Sequence, residues 1–114
     1  MALKPETQLQ ISVKQFCNLH KIPMIHVPNE GLRKKTTGQI LQKMGMRKGF
    51  SDCFFPKGND QFSGLFIELK IKPNKPTQHQ INFLQEMLSY GYDGCVCYNI
   101  DEAMKVIKNF YNLK

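Results

Sequence analysis

The stretch G-L-F-I-E-L-K-I, residues 64–71, decides the fold of this chain. Five of its eight residues are apolar, which predicts a buried β-strand, and successive side chains on a strand point to opposite faces. Aliphatic residues therefore take one face, while Phe66, Glu68 and Lys70 share the other. Burying a carboxylate beside an ammonium is seldom a net gain in stability, because desolvation offsets most of their attraction. The pair is either an ordinary ion pair on an exposed sheet face or a functional feature.

The overall charge of the chain favours a polyanionic partner. The 114 residues include 16 Lys plus Arg and 9 Asp plus Glu, a formal charge of +7. Nucleic acid is the first candidate partner and an anionic membrane surface is the second. The length predicts one domain, residues 1–114, with a single core. No apolar run approaches the roughly 18 residues of a membrane span, and residues 1–6 lack a signal-peptide core, so we expect a soluble, intracellular protein.

The four cysteines predict free thiols rather than disulfides or a zinc site. No C-x-x-C pair is present, and Cys95 and Cys97 are two residues apart in a strand-like segment, so their side chains point to the same side of a sheet.

Hydrophobic periodicity predicts alternating helices and strands. Residues 7–20 and the segment after Thr77 have helical spacing. Thr77 is placed to cap the second of these helices, and Gly91 is placed for its left-handed C-terminal cap. Asn99 is placed to cap a last helix, with Glu102 at its third position. Strands are predicted at residues 22–28, 50–55, 65–71 and 92–98. The order α-β-β-β-α-β-α predicts an α/β fold with a mixed sheet flanked by helices.

A basic segment connects the first two predicted strands. Residues 31–51 contain no acidic residue, four glycines and six basic side chains, those of Arg33, Lys34, Lys35, Lys43, Arg47 and Lys48. The residues able to pack there, in one short helix, are Ile40, Leu41, Met44 and Met46. A solvated charged face is the usual meaning of such a run. All the charges in this segment are positive, and it lies between two strands. Both facts favour contact with phosphates, because neutralising phosphates releases counterions.

Polar side chains converge near one end of the predicted hairpin. Asp52 begins the strand before residues 64–71, so a register that puts them on one face brings Asp52 close to Glu68 and Lys70. Glu6 shares the apolar face of the first helix, where it either favours the helix N-terminus or has a function. Gln80 shares the apolar face of the helix after Thr77, where an apolar residue would pack better.

Converging carboxylates need a cation between them. Two carboxylates about 4 Å apart repel by roughly 4 kcal/mol at an effective dielectric constant of about 20. A site made only of oxygen ligands suits Mg²⁺ or Mn²⁺ better than zinc. Such an ion binds a phosphate oxygen and activates water, while a neighbouring lysine orients that water or stabilises the charge that develops on phosphorus. The pattern therefore predicts phosphodiester hydrolysis.

The ordered motifs resemble the VRR-NUC branch (virus-type replication and repair nucleases) of the PD-(D/E)XK nuclease superfamily. Asp52 followed by E-L-K at residues 68–70 matches the superfamily motif. The likeness covers nearly the whole chain: the helix bearing Glu6, H-V-P-N-E-G-L-R (26–33), G-x-x-x-G-F-S-D (45–52), T-Q-H-Q-I-N-F-L (77–84) and G-Y-D-G-C-V-C-Y (91–98). One departure is Ser51, which replaces the proline that normally precedes the motif aspartate.

The resemblance implies a restriction-endonuclease-like core that binds Mg²⁺ or Mn²⁺. Its metal ligands would be Asp52, Glu68 and the main-chain carbonyl of Leu69. Lys70 would be the catalytic lysine, Glu6 an acidic residue that supplements metal binding, and Gln80 a further active-site residue. Asn29 and Arg33 fall in an N-x-x-x-R-like segment of the family and are implied as substrate contacts. Charge extends the expected nucleic-acid contacts to Lys34, Lys35, Lys43, Arg47, Lys48 and Lys72.

Free-standing phage and bacterial members of this family look like homodimers that cut branched DNA such as four-way junctions. The resemblance therefore implies the cytoplasm of a bacterium or of a phage-infected host cell. One active site per chain agrees with a dimer, since two symmetric cuts need two sites. The alternative to a structure-selective DNA endonuclease is a non-catalytic, basic nucleic-acid-binding module on the same fold, which has no need to keep these site residues together. Charge alone also fits a membrane-surface or RNA-binding role.

Overall fold

A mixed four-stranded sheet lies at the centre of the computed structural model, which describes residues 2–28 and 35–114. The strands are β1 (Ile25–His26), β2 (Cys53–Phe55), β3 (Gly64–Leu69) and β4 (Tyr92–Cys97), and they lie side by side in this order. β1, β2 and β3 pair antiparallel, whereas β3 and β4 pair parallel. The predicted α/β class with a mixed sheet is confirmed.

The described helices are α1 (Pro5–Leu19), α2 (Lys35–Lys43), α3 (Gln78–Ser89) and α4 (Ile100–Phe110). The predicted caps are confirmed. The Thr77 side chain accepts a hydrogen bond from the Gln80 N–H, and the Asn99 side chain accepts one from the Glu102 N–H. Gly91 follows α3 with a φ of +95°, in the left-handed region that glycine enters without steric cost.

The two faces of β3 pack against different helices. Leu65, Ile67 and Leu69 join one aliphatic core with residues of α1 and α4. Phe66 points the other way, and its ring centre lies 5.1 Å from that of Phe83 on α3. All six residues of β3 are buried, so Glu68, on the same face as Phe66, is enclosed by the fold.

The short helix predicted inside the basic segment is present as α2, which the predicted order α-β-β-β-α-β-α does not count as a separate element. This helix lies inside the basic segment and includes Ile40 and Leu41, but it ends before Met44 and Met46. Several predicted strands are too long. β1 has only two residues, since it is an edge strand with Pro23 and Pro28 on either side, and proline cannot donate a ladder hydrogen bond.

The thiols of all four cysteines are free, as predicted. Cys17, Cys53 and Cys97 are buried. Within residues 2–28 and 35–114, none of the helices is long and apolar enough to cross a membrane.

Candidate active site

Asp52 and Glu68 meet where β2 begins and β3 ends. Cys53 pairs with Ile67, so the preceding residue, Asp52, lies opposite Glu68 in the antiparallel ladder. The Oδ2 atom of Asp52 accepts a hydrogen bond from the Leu69 N–H at 2.8 Å. The two carboxyl groups also hydrogen-bond to each other. The register that the sequence required for this convergence is therefore present.

Burial keeps Glu68 protonated in the metal-free protein. Only 1% of this residue is exposed to solvent. Desolvation, followed by the charge of Asp52 and the hydrogen bond to its side chain, raises the pKa of Glu68 to about 9. The positive charge of Lys70 acts in the opposite direction but is weaker than these causes.

One oxygen atom of Glu68 is placed to bind a cation. Its Oε1 atom is buried and has no hydrogen-bond partner in the described part of the chain. An orphaned buried oxygen of this kind costs free energy unless a ligand satisfies it. A divalent ion bound by the carboxylates of Asp52 and Glu68 would do so, and oxygen ligands suit Mg²⁺ and Mn²⁺.

Lys70 leaves the sheet directly after β3. Its main-chain N–H donates to the carbonyl of Cys97 at 3.0 Å, so β4 fixes the backbone from which its side chain departs. The side chain is half-buried and lies close enough to Glu68 to influence its pKa. The structure therefore brings Asp52, Glu68 and Lys70 together, as the sequence predicted.

Two contacts fix the first turn of α3, which carries Gln80. Its side-chain oxygen accepts from the Thr77 N–H at 2.8 Å, which completes a capping box. The backbone at Gly49 passes so close to this turn that an added Cβ would lie 2.5 Å from the carbonyl carbon of His79 and 2.8 Å from the nitrogen of Gln80. Gln80 therefore has a structural role, and its amide nitrogen is the end left for contact with a substrate.

Glu6 does not join the two carboxylates. Its side chain is exposed in the first turn of α1. Among residues 2–28 and 35–114, no three His, Cys, Asp or Glu side chains form a group able to hold a metal ion. The predicted ligand set is thus reduced here to Asp52, Glu68 and the Leu69 carbonyl.

Three residues that the sequence reasoning did not assign also lie around this end of the sheet. The Oε1 atom of Gln10, one turn after Glu6, lies 3.4 Å from the Cys53 sulfur, and its amide nitrogen is buried without a partner in the described structure. Ser51 is fully buried, and its hydroxyl likewise has no described partner. The His26 Nδ1 atom lies 3.0 Å from the carbonyl oxygen of Asp52. Only the i, i+4 spacing of Glu6 and Gln10 could have indicated any of them in the sequence.

The structure describes only some of the residues that were predicted to contact nucleic acid. Asn29, Arg33 and Lys34 lie outside the described residues, as does the side chain of Lys35. Lys43, Lys48 and Lys72 are exposed, and the Nζ atom of Lys72 lies 5.7 Å from the ring centre of Tyr98. Arg47 forms an ion pair with Glu86 at 3.0 Å and lies 5.2 Å from the ring centre of Phe83.

The fold is shared with a solved structure described as a VRR_NUC domain protein. The two superpose with a TM-score of 0.82 over 99% of this chain and 93% of the other, at 21% sequence identity. The sequence matches no family model and no curated protein. At this identity the likeness establishes the fold, and it agrees with the family that the sequence motifs resemble.

Proposed function

We propose that this chain is a metal-dependent, structure-selective DNA endonuclease that hydrolyses phosphodiester bonds. The observation that carries the proposal is the meeting of Asp52 with the buried Glu68, whose Oε1 atom has no partner in the described structure. The shared fold with a VRR_NUC domain protein supports it independently. A basic binding module without activity would gain nothing from this convergence, because it costs stability.

Asp52, Glu68 and the Leu69 carbonyl would hold Mg²⁺ or Mn²⁺. When bound, this ion would bind a phosphate oxygen and lower the pKa of an attacking water. Asp52 is oriented for this task by its hydrogen bond from the Leu69 N–H. Glu68 would hold the ion as the ionised carboxylate, because a divalent positive charge would favour that form against the effect of burial.

Lys70 would act on the reacting phosphate. Its ammonium orients the attacking water or stabilises the negative charge that develops as water adds to phosphorus and a phosphorus–oxygen bond breaks. Gln80 would contribute its free amide nitrogen as a donor to the phosphate. The exposed Glu6 would supplement metal binding only after its side chain turns towards the site.

The expected substrate is branched DNA, such as a four-way junction, cut by a homodimer with one site in each chain. The formal charge of +7 supports an anionic substrate. The resemblance to free-standing members of the VRR-NUC branch supports the branched structure and the dimer.

A cleavage assay tests this proposal. Labelled four-way junction, flap and plain duplex would be incubated with the protein in Mg²⁺, Mn²⁺ or EDTA. We expect cutting of a branched substrate with either metal and none in EDTA. Glu68→Gln and Lys70→Ala should each lower the rate by about 10²-fold or more.

A matched variant controls for surface charge. Lys105→Ala changes an exposed residue of α4 outside the predicted contacts and should cut like the wild type. Binding without cutting on every substrate would favour the non-catalytic module. Cutting that survives Glu68→Gln or Lys70→Ala would refute the site assignment instead.

A further inference from the structure

A mostly apolar cavity of about 410 Å³ lies next to the candidate active site. Its lining includes Val27, Met46, Phe50, Phe83 and Met87, together with the guanidinium-bearing Arg47. The roles predicted for the motif residues and for the basic residues do not explain why an aromatic cavity lies here. Cavities of this size with few polar groups are typical ligand sites.

The walls of the cavity are joined directly to catalytic elements. The Val27 N–H donates to the carbonyl of Asp52 at 3.0 Å, and Phe50 is two residues before Asp52 in the chain. Phe83 follows Gln80 by one turn of α3. The cavity is therefore formed by the segments that carry Asp52 and Gln80.

The chemistry of the walls suits a nucleobase. The rings of Phe50 and Phe83 have centres 4.6 Å apart, and the guanidinium of Arg47 lies over the Phe83 ring at 5.2 Å. Aromatic rings and guanidinium planes are the groups on which proteins stack unpaired bases. An aliphatic ligand would need neither the rings nor the cation.

The charge around the cavity also favours a base that is part of a polyanionic strand. The segment 31–51, which supplies Met46, Arg47 and Phe50, contains no acidic residue. The nearby carboxylate of Glu86 is already neutralised by Arg47 at 3.0 Å. The sugar-phosphate chain attached to the base would therefore meet a surface of complementary sign.

We propose that this cavity binds one unpaired base of the DNA substrate while the adjacent phosphate lies at Asp52 and Glu68. The inference rests on the proposed nuclease function and adds the feature by which the enzyme selects its substrate. Branch points, flaps and gaps offer unstacked bases. In a continuous duplex the bases are stacked, and releasing one of them costs a few kcal/mol.

Photochemical cross-linking in EDTA tests the inference without cleavage. One oligonucleotide carrying 5-iododeoxyuridine would be used in two forms, with that base unpaired at a branch point or paired within a duplex. We expect cross-linking from the unpaired base only, mapped by mass spectrometry to Phe50 or Met46. Cross-links that map elsewhere, or that are equal for paired and unpaired bases, would overturn it.

Binding affinities provide a second measurement. Phe50→Leu keeps an apolar side chain but removes the ring, so the preference for the unpaired over the paired DNA should fall about tenfold. Phe16 is a half-buried aromatic residue on α1. Phe16→Leu is therefore the matched control and should keep the preference for unpaired DNA. If Phe50→Leu unfolds the protein, Met46→Ala provides a second test, because it shortens another half-buried side chain in the wall of the cavity.

Other occupants give different results. A Phe50→Leu variant that becomes monomeric while the wild type is dimeric would show that a second copy of the chain fills the cavity, which overturns the inference. Metal-dependent cutting with no preference for unpaired bases would overturn it and leave the nuclease proposal intact. Absence of both DNA binding and cutting would refute the two proposals together.

Discussion

Glu68 is buried, and among the described residues the charge of Lys70 does not offset the effect of that burial on its pKa. A surface ion pair with Lys70 would have left the carboxylate hydrated and its pKa near 4.5. The fold instead buries Glu68 against Asp52, and this raises its pKa to about 9. The charge of Lys70 does not offset this effect of burial on the pKa, which supports the proposed cation site at Asp52 and Glu68.

The raised pKa predicts how the stability of the metal-free protein depends on pH. Between pH 4.5 and about 9 the unfolded chain releases the Glu68 proton while the folded chain keeps it, so the free energy of unfolding falls as pH rises. Tm measured in EDTA at pH 5, 7 and 9 should decrease across this window. Glu68→Gln, which is neutral at every pH, should flatten the decrease.

Glu86→Gln is the control for this measurement. The hydrogen bond and charge of Arg47 lower the pKa of the exposed Glu86, so its contribution is constant above pH 4.5 and is lost only below it. Its Tm should fall across the window as steeply as the wild type does. A slope that is the same in Glu68→Gln and in the wild type would show that Glu68 is ionised in the metal-free fold.

Gln80 is expected to have two roles that mutation can separate. Thr77→Ala removes one bond of the capping box and should cost about 1 kcal/mol of stability, with little change in cleavage rate. Gln80→Ala removes the other bond and also the amide nitrogen, so it should lower the rate well beyond its effect on Tm. Equal rates for the two variants would assign Gln80 to capping alone.

At the scale of elements, the segment that leads into β2 ties the carboxylate pair to α3. Gly49 has a φ of +82° and lies directly against the backbone of His79 and Gln80. No side chain fits there, so the distance between Asp52 and the first turn of α3 depends on a glycine at this position.

Gly49→Ala should therefore reduce both stability and activity. Backbone strain at positive φ costs about 1–3 kcal/mol, and the Cβ clash with the α3 backbone adds to it. Gly45→Ala is the matched control, because Gly45 also has a positive φ, +107°, but an added Cβ would meet no described atom within 4 Å. Equal losses of Tm in the two variants would show that the contact with α3 is not required.

The regular elements with strong local signals could be predicted from the sequence. The face alternation of β3, the Thr77 and Asn99 caps and the left-handed Gly91 all follow from side-chain periodicity and capping chemistry, and the structure confirms them. The shortness of β1 was not predicted. This edge strand pairs only with β2, so its length depends on how far that ladder extends, which side-chain periodicity does not show.

The sequence could predict the candidate site only on the condition that β2 and β3 pair in one particular register. Pairing of Cys53 with Ile67 brings Asp52 to Glu68, and a shift by one residue would have separated them. Sequence periodicity could not show that the Glu6 side chain is exposed. The T-x-x-Q spacing at Thr77 and Gln80 did contain the signal for a capping box, a role that the active-site reading of Gln80 did not include.

At the scale of the whole molecule, excess positive charge should govern DNA binding. The logarithm of the binding constant should fall linearly with the logarithm of salt concentration, with a slope of about 0.9 per phosphate contacted. Lys72→Ala should reduce this slope by about one, since Lys72 is exposed two residues beyond Lys70. Lys105 is an exposed lysine on α4, and Lys105→Ala should leave the slope unchanged. An equal effect of the two substitutions would show that Lys72 acts only through the overall charge of the protein.

The proposed symmetric cutting requires two sites in one assembly. Sedimentation or light scattering should give a mass of two 13.2-kDa chains for the wild type at the concentrations used for cleavage. A monomer that introduces paired cuts in a four-way junction would refute the dimer while leaving the site untouched.

Manganese binding is the most direct test of the claim that Asp52 and Glu68 form a cation site. Free Mn²⁺ would be titrated by electron paramagnetic resonance at pH 8 against the wild type, Asp52→Asn, Glu68→Gln and the surface control Glu86→Gln. We predict saturable binding by the wild type and by Glu86→Gln, weakened at least about tenfold in each of the other two variants. Equal affinities in all four proteins, or no saturable binding by the wild type, would contradict the account.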